Sequence, residues 1–367
     1  MISRSLTATQ RRDWLRLSLT ENVGPVTFRN LLARFGGATE ALAALPGLSA
    51  QGGLRRPLRV YGENLADDAL AKAETFGARY VVPGEAGYPQ LLRHIDAAPP
   101  FLCVKGKLDL ATGDAVAIVG SRNASAVGRK FTRQVAAELG EAHKRIVSGL
   151  ARGIDTAAHE AALNTGTAAV VAGGIDVIYP PENAALQAEI SERGLLISEM
   201  LLGTVPKAEH FPRRNRIISG MSQAVVVIEA ALRSGSLITA RLAAEQGREV
   251  YAVPGSPLDP RCEGTNRLIR NGATLLTSAS DILTEWQPGY APVHDMFFEP
   301  APDAIESHDV SERERQQVMS LLSPSPVDID DLVRESGLRP ATVTSVLLEL
   351  DLAGRLSRHA QGAVSLA

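Results

Sequence analysis

AVAIVGSR, residues 115–122, decides the fold: an unbroken run of β-branched and small apolar residues stops at a glycine, a serine and an arginine. A strand with one face in water alternates apolar and polar side chains, whereas a continuous run marks a strand buried on both faces of a parallel sheet. Five further runs follow downstream: 145–148 (RIVS), 168–171 (AAVV), 195–198 (LLIS), 224–228 (AVVVI) and 249–253 (EVYAV). Amphipathic helical patterns lie between them, as at 128–142 and 236–247. Repeated strand–helix units predict an α/β fold, a Rossmann-like doubly wound and mostly parallel sheet with its core at 111–285.

The flanks have a different grain. Over residues 8–47, Trp14, Leu15, Leu17 and Leu19 lead into Asn22-Val23-Gly24-Pro25. A second apolar helix then carries Phe28, Leu31, Leu32 and Phe35, Gly36-Gly37 closes it, and Leu45-Pro46-Gly47 marks another turn,. This is the punctuation of a small N-terminal helical domain of helix-hairpin-helix or SAM-like type. Its turn either offers backbone N–H groups to a phosphate or is a tight corner. Strand-like pieces begin at Arg79 and include Phe101-Leu102-Cys103-Val104. Residues 287–309 are rich in proline and acid, have no period and read as a linker,. Beyond them, helices at 312–322, 329–335 and 341–353 and two short strands around Gly362 follow the order of a winged helix,. The expected domains are therefore 1–75, 76–286 and 310–367, with 287–309 between the last two.

A chain of 367 residues with 45% hydrophobic and 22% charged residues is long enough for two or three domains with ample cores,. No run of about 18 apolar residues suggests a membrane span, and MISRSLTATQRRDW lacks the apolar stretch of a signal peptide,. A cytoplasmic protein is expected. Cys103 and Cys262 have no metal-ligand spacing and read as buried or incidental thiols,. The net charge of −3 means that any nucleic-acid site must gather its cations locally,.

Ligands of an open parallel sheet bind beyond the carboxyl ends of its strands, and there the loops are unusual. Gly120-Ser121-Arg122 combines close backbone approach, a hydroxyl donor and a guanidinium fork,. Ser148-Gly149-Leu150-Ala151-Arg152-Gly153 and Ala172-Gly173-Gly174 promise open backbone N–H groups for an anion, and Gly235, Ser236 and Thr239 open a further helix,. Densest is KAEHFPRRNRIISG at 207–220, where Lys207, Arg213, Arg214 and Arg216 surround Phe211, with Asn215 among them. Cations for a backbone and an aromatic face for a base are what a sequence-tolerant single-strand site needs; the alternative is a charged loop whose Phe211 plugs the core. Arg214 and Arg216 need not both face a ligand, since one of them can anchor Asp176 or Glu199.

GSR at 120–122, SGLARGID at 148–155, GGID with YP at 173–180 and FPRRNRIISG at 211–220 resemble the signature series of the DprA (Smf) DNA-processing family, and IEA with SGSLITA at 228–240, AVPG at 252–255 and GTNRLIRNGA at 264–273 continue it. The resemblance is dense over 110–285 and weaker outside. It implies single-strand binding in a basic pocket at the sheet's edge, protection of incoming DNA during natural transformation, transfer of that DNA to RecA recombinase, and a homodimer formed through the middle domain. It implies no cofactor, no metal and no catalysis. Two departures stand out: Ala172 replaces a glycine common in the family, and Lys207 lies four residues before Phe211 where some relatives have a lysine at three.

A second class competes with this reading. Related folds hydrolyse the phosphoribosyl bond of nucleotides with a glutamate near a glycine-rich loop, and Glu199 and Glu229 sit near strand ends,. Against it stand the absence of paired carboxylates, of a metal-ligand cluster and of a GxGxxG fingerprint after the first strand,; Asp155 and Asp176 are expected to hold loop geometry. A transcription factor using the winged helix is disfavoured because that module's second helix carries Asp328, Asp330 and Asp331, so a protein-contact or regulatory module is the stronger expectation,.

Overall fold

The computed structural model describes residues 6–286, 310–359 and 362–367, so the linker expected at 287–309 lies outside the described residues. The described residues fall into two compact units, one within Ala69–Met296 and one made of Ser5–Asp68 together with Phe297–Ala367. Among them no helix is long and apolar enough to cross a membrane.

Four helices come first: α1 (Ala8–Ser18), α2 (Pro25–Phe35), α3 (Ala38–Gln51) and α4 (Glu63–Phe76). Thr7 and Gln10 form a capping box on α1,, and Gly24 followed by Pro25 starts α2,. The Trp14 and Phe28 rings meet with centroids 5.0 Å apart. The turn expected at Leu45-Pro46-Gly47 is absent, because α3 runs through it. Proline costs the helix one backbone hydrogen bond, but Leu45 and Leu48 are both buried on either side of it. Packing holds the helix across a residue that would end it in isolation.

The α/β unit follows: β1 (Arg79–Val81), β2 (Leu102–Gly106), β3 (Ala115–Val119), α5 (Ala126–Glu141), β4 (Arg145–Ser148), α6 (Ile154–Ala162), β5 (Thr167–Val170), α7 (Ala184–Arg193) and β6 (Leu195–Ser198). The second half is α8 (His210–Gly220), β7 (Ala224–Val227), α9 (Gly235–Glu245), β8 (Glu249–Ala252), α10 (Glu263–Arg270), β9 (Thr274–Leu275) and α11 (Ala279–Glu285). The sheet order is β1-β2-β6-β5-β4-β3-β7-β8-β9. From β6 to β9 all neighbours are parallel, and β2 and β1 extend the β6 edge antiparallel. The six apolar runs of the sequence are β3 to β8, and β3, β5, β6 and β7 are buried at every position. The chain winds from β3 to β6 in one direction and then returns to the other side of β3 with β7. Loops after β3 and β7 therefore part in opposite directions, and the crevice between them is the place where such a sheet takes a ligand. Cys103 and Cys262 are buried free thiols.

The last elements are α12 (Glu312–Leu321), α13 (Ile329–Ser336), α14 (Pro340–Leu352) and an antiparallel pair, β10 (Leu356–Arg358) with β11 (Val364–Leu366). Val318, Leu332, Val343, Val346, Leu347, Leu350 and Val364 form their core, which is the winged-helix arrangement expected.

His159 on α6 gives the α/β unit an acid-sensitive element. It is wholly buried, with Nδ1 2.7 Å from Thr167 Oγ1. Burial, helped by the charge of Arg214, pushes it down to about 3. In the unfolded chain it takes a proton below about 6.5, so acid favours the unfolded state. The stability it contributes is complete above that value and is lost as pH falls from there toward 3. Urea titrations between pH 7 and 4 should show a shallower loss of stability for His159→Gln than for the wild type; equal slopes would remove His159 from the account.

Candidate nucleic-acid interface

The basic segment is a helix from His210 onward and not the crevice loop that its polarity suggests. Pro212 sits in the first turn, where its missing N–H has no intrahelical partner to lose. Helical spacing then sorts the side chains. Phe211, Arg214, Asn215 and Ile218 recur at i, i+3, i+4 and i+7 and share one face, which turns toward the crevice,. Arg213 and Arg216 share another face, and both reach Glu199 at the end of β6.

Two cavities meet at this helix. The first, about 210 Å³, lies over the ends of β4 and β5. It is smaller than the ~300–1,000 Å³ of a drug-sized site. Its floor and sides come from Gly149, Leu150, Val171, Ala172 and Gly173, and its outer wall from Val177, Tyr179, Pro180, Pro181 and Pro206. The second, about 520 Å³, occupies the switch-point crevice between the β3 and β7 loops. Gly120, Ser121 and Asn123 form one bank; Arg233, Ser234, Gly235, Ser236 and Thr239 form the other. Arg122, Phe211 and Arg214 line both and make the partition. The Arg122 guanidinium stands 5.2 Å from the centroid of the Phe211 ring, whose other neighbour is the Tyr179 ring at 5.4 Å. A smaller cavity walled by Tyr179 and prolines beside a wider crevice banked by serines and glycines, with cations at the boundary, is suited to a base on one side and a phosphate on the other.

Arg214 is the buried member of the partition, 5% exposed. It donates to the Val170 carbonyl. Burial lowers it to about 10, Asp155 opposes that fall and Arg122 adds to it, so Arg214 stays cationic at neutral pH while its charge opposes that of Arg122. An anion between the two would relieve that repulsion. Asp155 is pushed upward by burial and held down chiefly by Arg214.

Several expected anion donors are already spent. Asp155 Oδ2 accepts the N–H groups of Gly149 (3.1 Å) and Ala151 (3.3 Å), so the SGLARG loop does not hold them open for a ligand. Gly149 matters for a different reason: a Cβ there would lie 2.0 Å from Arg214 Nη1. The glycine makes room for the cation. Ser148 is fully buried and donates to the Ile118 carbonyl at 2.6 Å. Gly153, at φ +83, passes against the Ser121 carbonyl, and Gly174 donates to the Thr204 carbonyl at 2.8 Å. None of Ser148, Gly153 and Gly174 lines either cavity, and each acts on loop shape. Lys207 is exposed, gives its backbone N–H to His210 Nδ1 at 3.2 Å and also lies outside both. Arg216 is turned away to Glu199, so of the two arginines left open by the sequence Arg214 faces the site.

Of the other expected residues, Gly120, Ser121, Arg122, Arg152, Gly173, Phe211, Asn215, Gly235, Ser236 and Thr239 do converge on the cavities. Arg152 meets Glu182 at 3.4 Å on the exposed rim. Asn215 Nδ2 donates to the Gly235 carbonyl at 3.2 Å and ties α8 to the start of α9.

The two glutamates offered as acid–base groups have structural work. Glu229 accepts from Ser125 N (2.9 Å) and Ser125 Oγ (2.5 Å) and closes the N-terminus of α5. Glu199 holds Arg213 and Arg216. Neither lines a cavity, and Asp176 accepts the Gly203 N–H with both oxygens, as a loop holder does. Reading the sequence alone missed Tyr179, Arg233 and the proline wall. Tyr179 belongs to a quoted motif, and its aromatic ring just beyond a strand end was the available signal.

A family profile described as DNA recombination-mediator protein A matches residues 79–287. A DprA-like N-terminal HHH domain matches 8–71 and a DprA winged helix domain 299–362. The DNA processing protein DprA of Streptococcus pneumoniae is 50% identical over 202 residues, 54% of this chain and 71% of its own length. Protein Smf of Escherichia coli is 40% identical over 298 residues, 78% of this chain and 77% of its own. The S. pneumoniae DprA crystal structure covers 77% of this chain and 99% of itself at 37% identity, with a TM-score of 0.64. A Helicobacter pylori DNA processing protein A structure, described in terms of its unique single-stranded DNA binding mode, covers 57% of this chain and 97% of itself at 30% identity, with a TM-score of 0.52. With one profile spanning the α/β unit and two more covering the helices on either side of it, the chain belongs to the DNA recombination-mediator protein A family.

Proposed function

We propose that this protein binds single-stranded DNA with little sequence preference at the two-cavity site and passes it to RecA recombinase during DNA uptake, without catalysing a reaction on it. The observation that carries the reading is the partition itself: Phe211 between Arg122 and Tyr179, with Arg214 buried behind it. A stacked base and a backbone cation within one contact are the elements of sequence-tolerant single-strand binding. The smaller cavity is walled by Tyr179 and prolines and accepts a splayed base, which a duplex does not offer. The Helicobacter pylori relative, described by its single-stranded DNA binding mode, supports the same ligand class. Homodimer formation through the α/β unit is part of the proposal; β9 is an edge strand, and Leu275 on it is 45% exposed. The setting is the cytoplasm, where RecA works.

The test is a titration of fluorescent single strands and blunt duplexes of mixed sequence across salt concentrations. Single strands should bind at least tenfold more tightly, about 1.4 kcal/mol, with little difference among base compositions. Equal affinity for the two forms at moderate salt would overturn the proposal. For the hand-over, the protein should shorten the lag of RecA filament growth on single strands precoated with single-strand-binding protein, and an unaltered lag would confine the reading to binding alone.

A further inference from the structure

Helix α14 is buried on more sides than its own module can cover. Val343, Val346, Leu347 and Leu350 form the stripe that packs on the winged-helix core. Yet Leu348 and Leu352, in the second half of the helix, are each no more than 1% exposed, and Ala353 just beyond is 8% exposed. A helix on the surface of a module buries one stripe, so burial all round calls for a second partner.

The partner lies in the same compact unit. Gly52, which ends α3, lies so near α14 that a Cβ would be 2.0 Å from the Glu349 carbonyl oxygen and 3.0 Å from Ala353 Cβ. Asn22 Nδ2, in the turn before α2, donates to the Leu352 carbonyl at 3.0 Å. Arg355 Nη1, just past α14, donates to the Gly52 carbonyl at 3.1 Å. Each segment thus supplies a side-chain donor to a carbonyl that the other's helix end leaves without an intrahelical partner. Thr27 Oγ1 adds a bond of 3.1 Å to Asp351 Oδ2, which Arg358 also holds through Nε at 2.8 Å and Nη2 at 2.6 Å.

We propose that the partner of the winged helix is this chain's own N-terminal helical domain, and that α14 serves as their docking face and not as a reader of duplex DNA. In a helix-turn-helix module the third helix must lie free in a groove about 12 Å wide. With its C-terminal half covered by α2 and α3, α14 keeps only its first turns free to meet such a groove. Its own sequence, PATVTSVLLELDL, has no lysine or arginine and two acids, so it has nothing to draw a phosphate. The exchange of donors also explains why a glycine stands at 52: any side chain would part the two helix ends. This inference is independent of whether the α/β unit binds single strands.

The test uses the full chain and hydrogen–deuterium exchange read on peptides covering 45–55 and 345–356. Gly52→Trp should speed exchange in 345–356 severalfold, and Arg355→Ala should speed it in 45–55, each at the far partner of the substituted residue. Asn22→Ala, a milder change, covers the case in which Gly52→Trp does not fold. Unchanged exchange at the far partner in every variant that folds overturns the docking. As the second arm, Thr344→Glu, on the exposed start of α14, should leave affinity for a 20-base-pair duplex within twofold; a larger fall would show α14 in contact with duplex DNA and overturn the proposal.

Discussion

Arg216→Ala should lower the stability of the α/β unit by about 3–5 kcal/mol, the usual cost of removing one partner from a buried ion pair, while leaving the salt dependence of single-strand binding unchanged. Glu199 is 6% exposed at its side chain and Arg216 only 11%, so the charges meet with little water between them. Burial lowers the Arg216 pKa, and Glu199 is the main group opposing that fall. Arg213 also reaches Glu199, at 3.3 Å, but its side chain is 55% exposed and screened. It can replace only part of the lost attraction, and Arg213→Ala itself should cost no more than about 1 kcal/mol. Urea unfolding measures the first effect, and affinity against salt concentration the second. The combination Glu199→Gln with Arg216→Met should recover much of the loss, because no unpaired charge is then left buried. A stable Arg216→Ala protein with a flattened salt slope would instead put this arginine on DNA.

Strands β3 to β8 were legible because strands buried on both faces cannot alternate, so each shows as a short unbroken apolar run. The start and end of α2 were legible through local chemistry, a Gly-Pro start and a glycine close. Pro46 misled because its cost is local and visible, whereas the burial of Leu45 and Leu48 that outweighs it is tertiary. The basic segment misled for a related reason. Polarity and a proline argue for a loop, but Pro212 falls in the first turn of α8, the one place where a helix accepts it.

That single misassignment explains most of what the sequence left open at the site. In a loop, Arg214 and Arg216 have no fixed relation. On a helix, Arg214 falls with Phe211 and Arg216 with Arg213, and the division between ligand and Glu199 follows from spacing. The glycine-rich loops were legible as unusual, but not in their reason. Composition suggests open N–H groups, whereas Asp155, six residues after Gly149, takes them, and the glycine's small size serves Arg214. Asp155 as a loop holder was legible, but which N–H groups it takes up leaves no mark in a pattern of residue types. Tyr179 was missed because its meeting with Phe211 joins segments far apart in the chain.

Phe211 and Arg122 touch, yet their loss should read out differently. A guanidinium on a phosphate displaces a condensed counterion, so Arg122→Ala should reduce the log–log salt slope by about 0.7 and cost roughly 1.5–3 kcal/mol, the worth of a charge-assisted hydrogen bond. A base stacked on Phe211 displaces no ion. Phe211→Ala should therefore cost about 1–3 kcal/mol at every salt concentration and leave the slope alone. The two are coupled, since the Arg122 guanidinium lies 5.2 Å from the ring centroid and loses its platform when the ring goes. The double variant should accordingly lose less than the sum of the single losses. Wild type, both single variants and the double variant, each checked for folding, form the cycle to be measured against salt. Phe211 is only partly buried, between Tyr179 and Arg122, so its removal should leave the fold intact. If Phe211→Ala unfolds the protein, the ring is a plug, and if it folds and binds as before, the base lies elsewhere. A slope that Arg122→Ala leaves unchanged would move the phosphate to Arg233 on the opposite bank of the crevice, where the same slope measurement on Arg233→Ala decides between them.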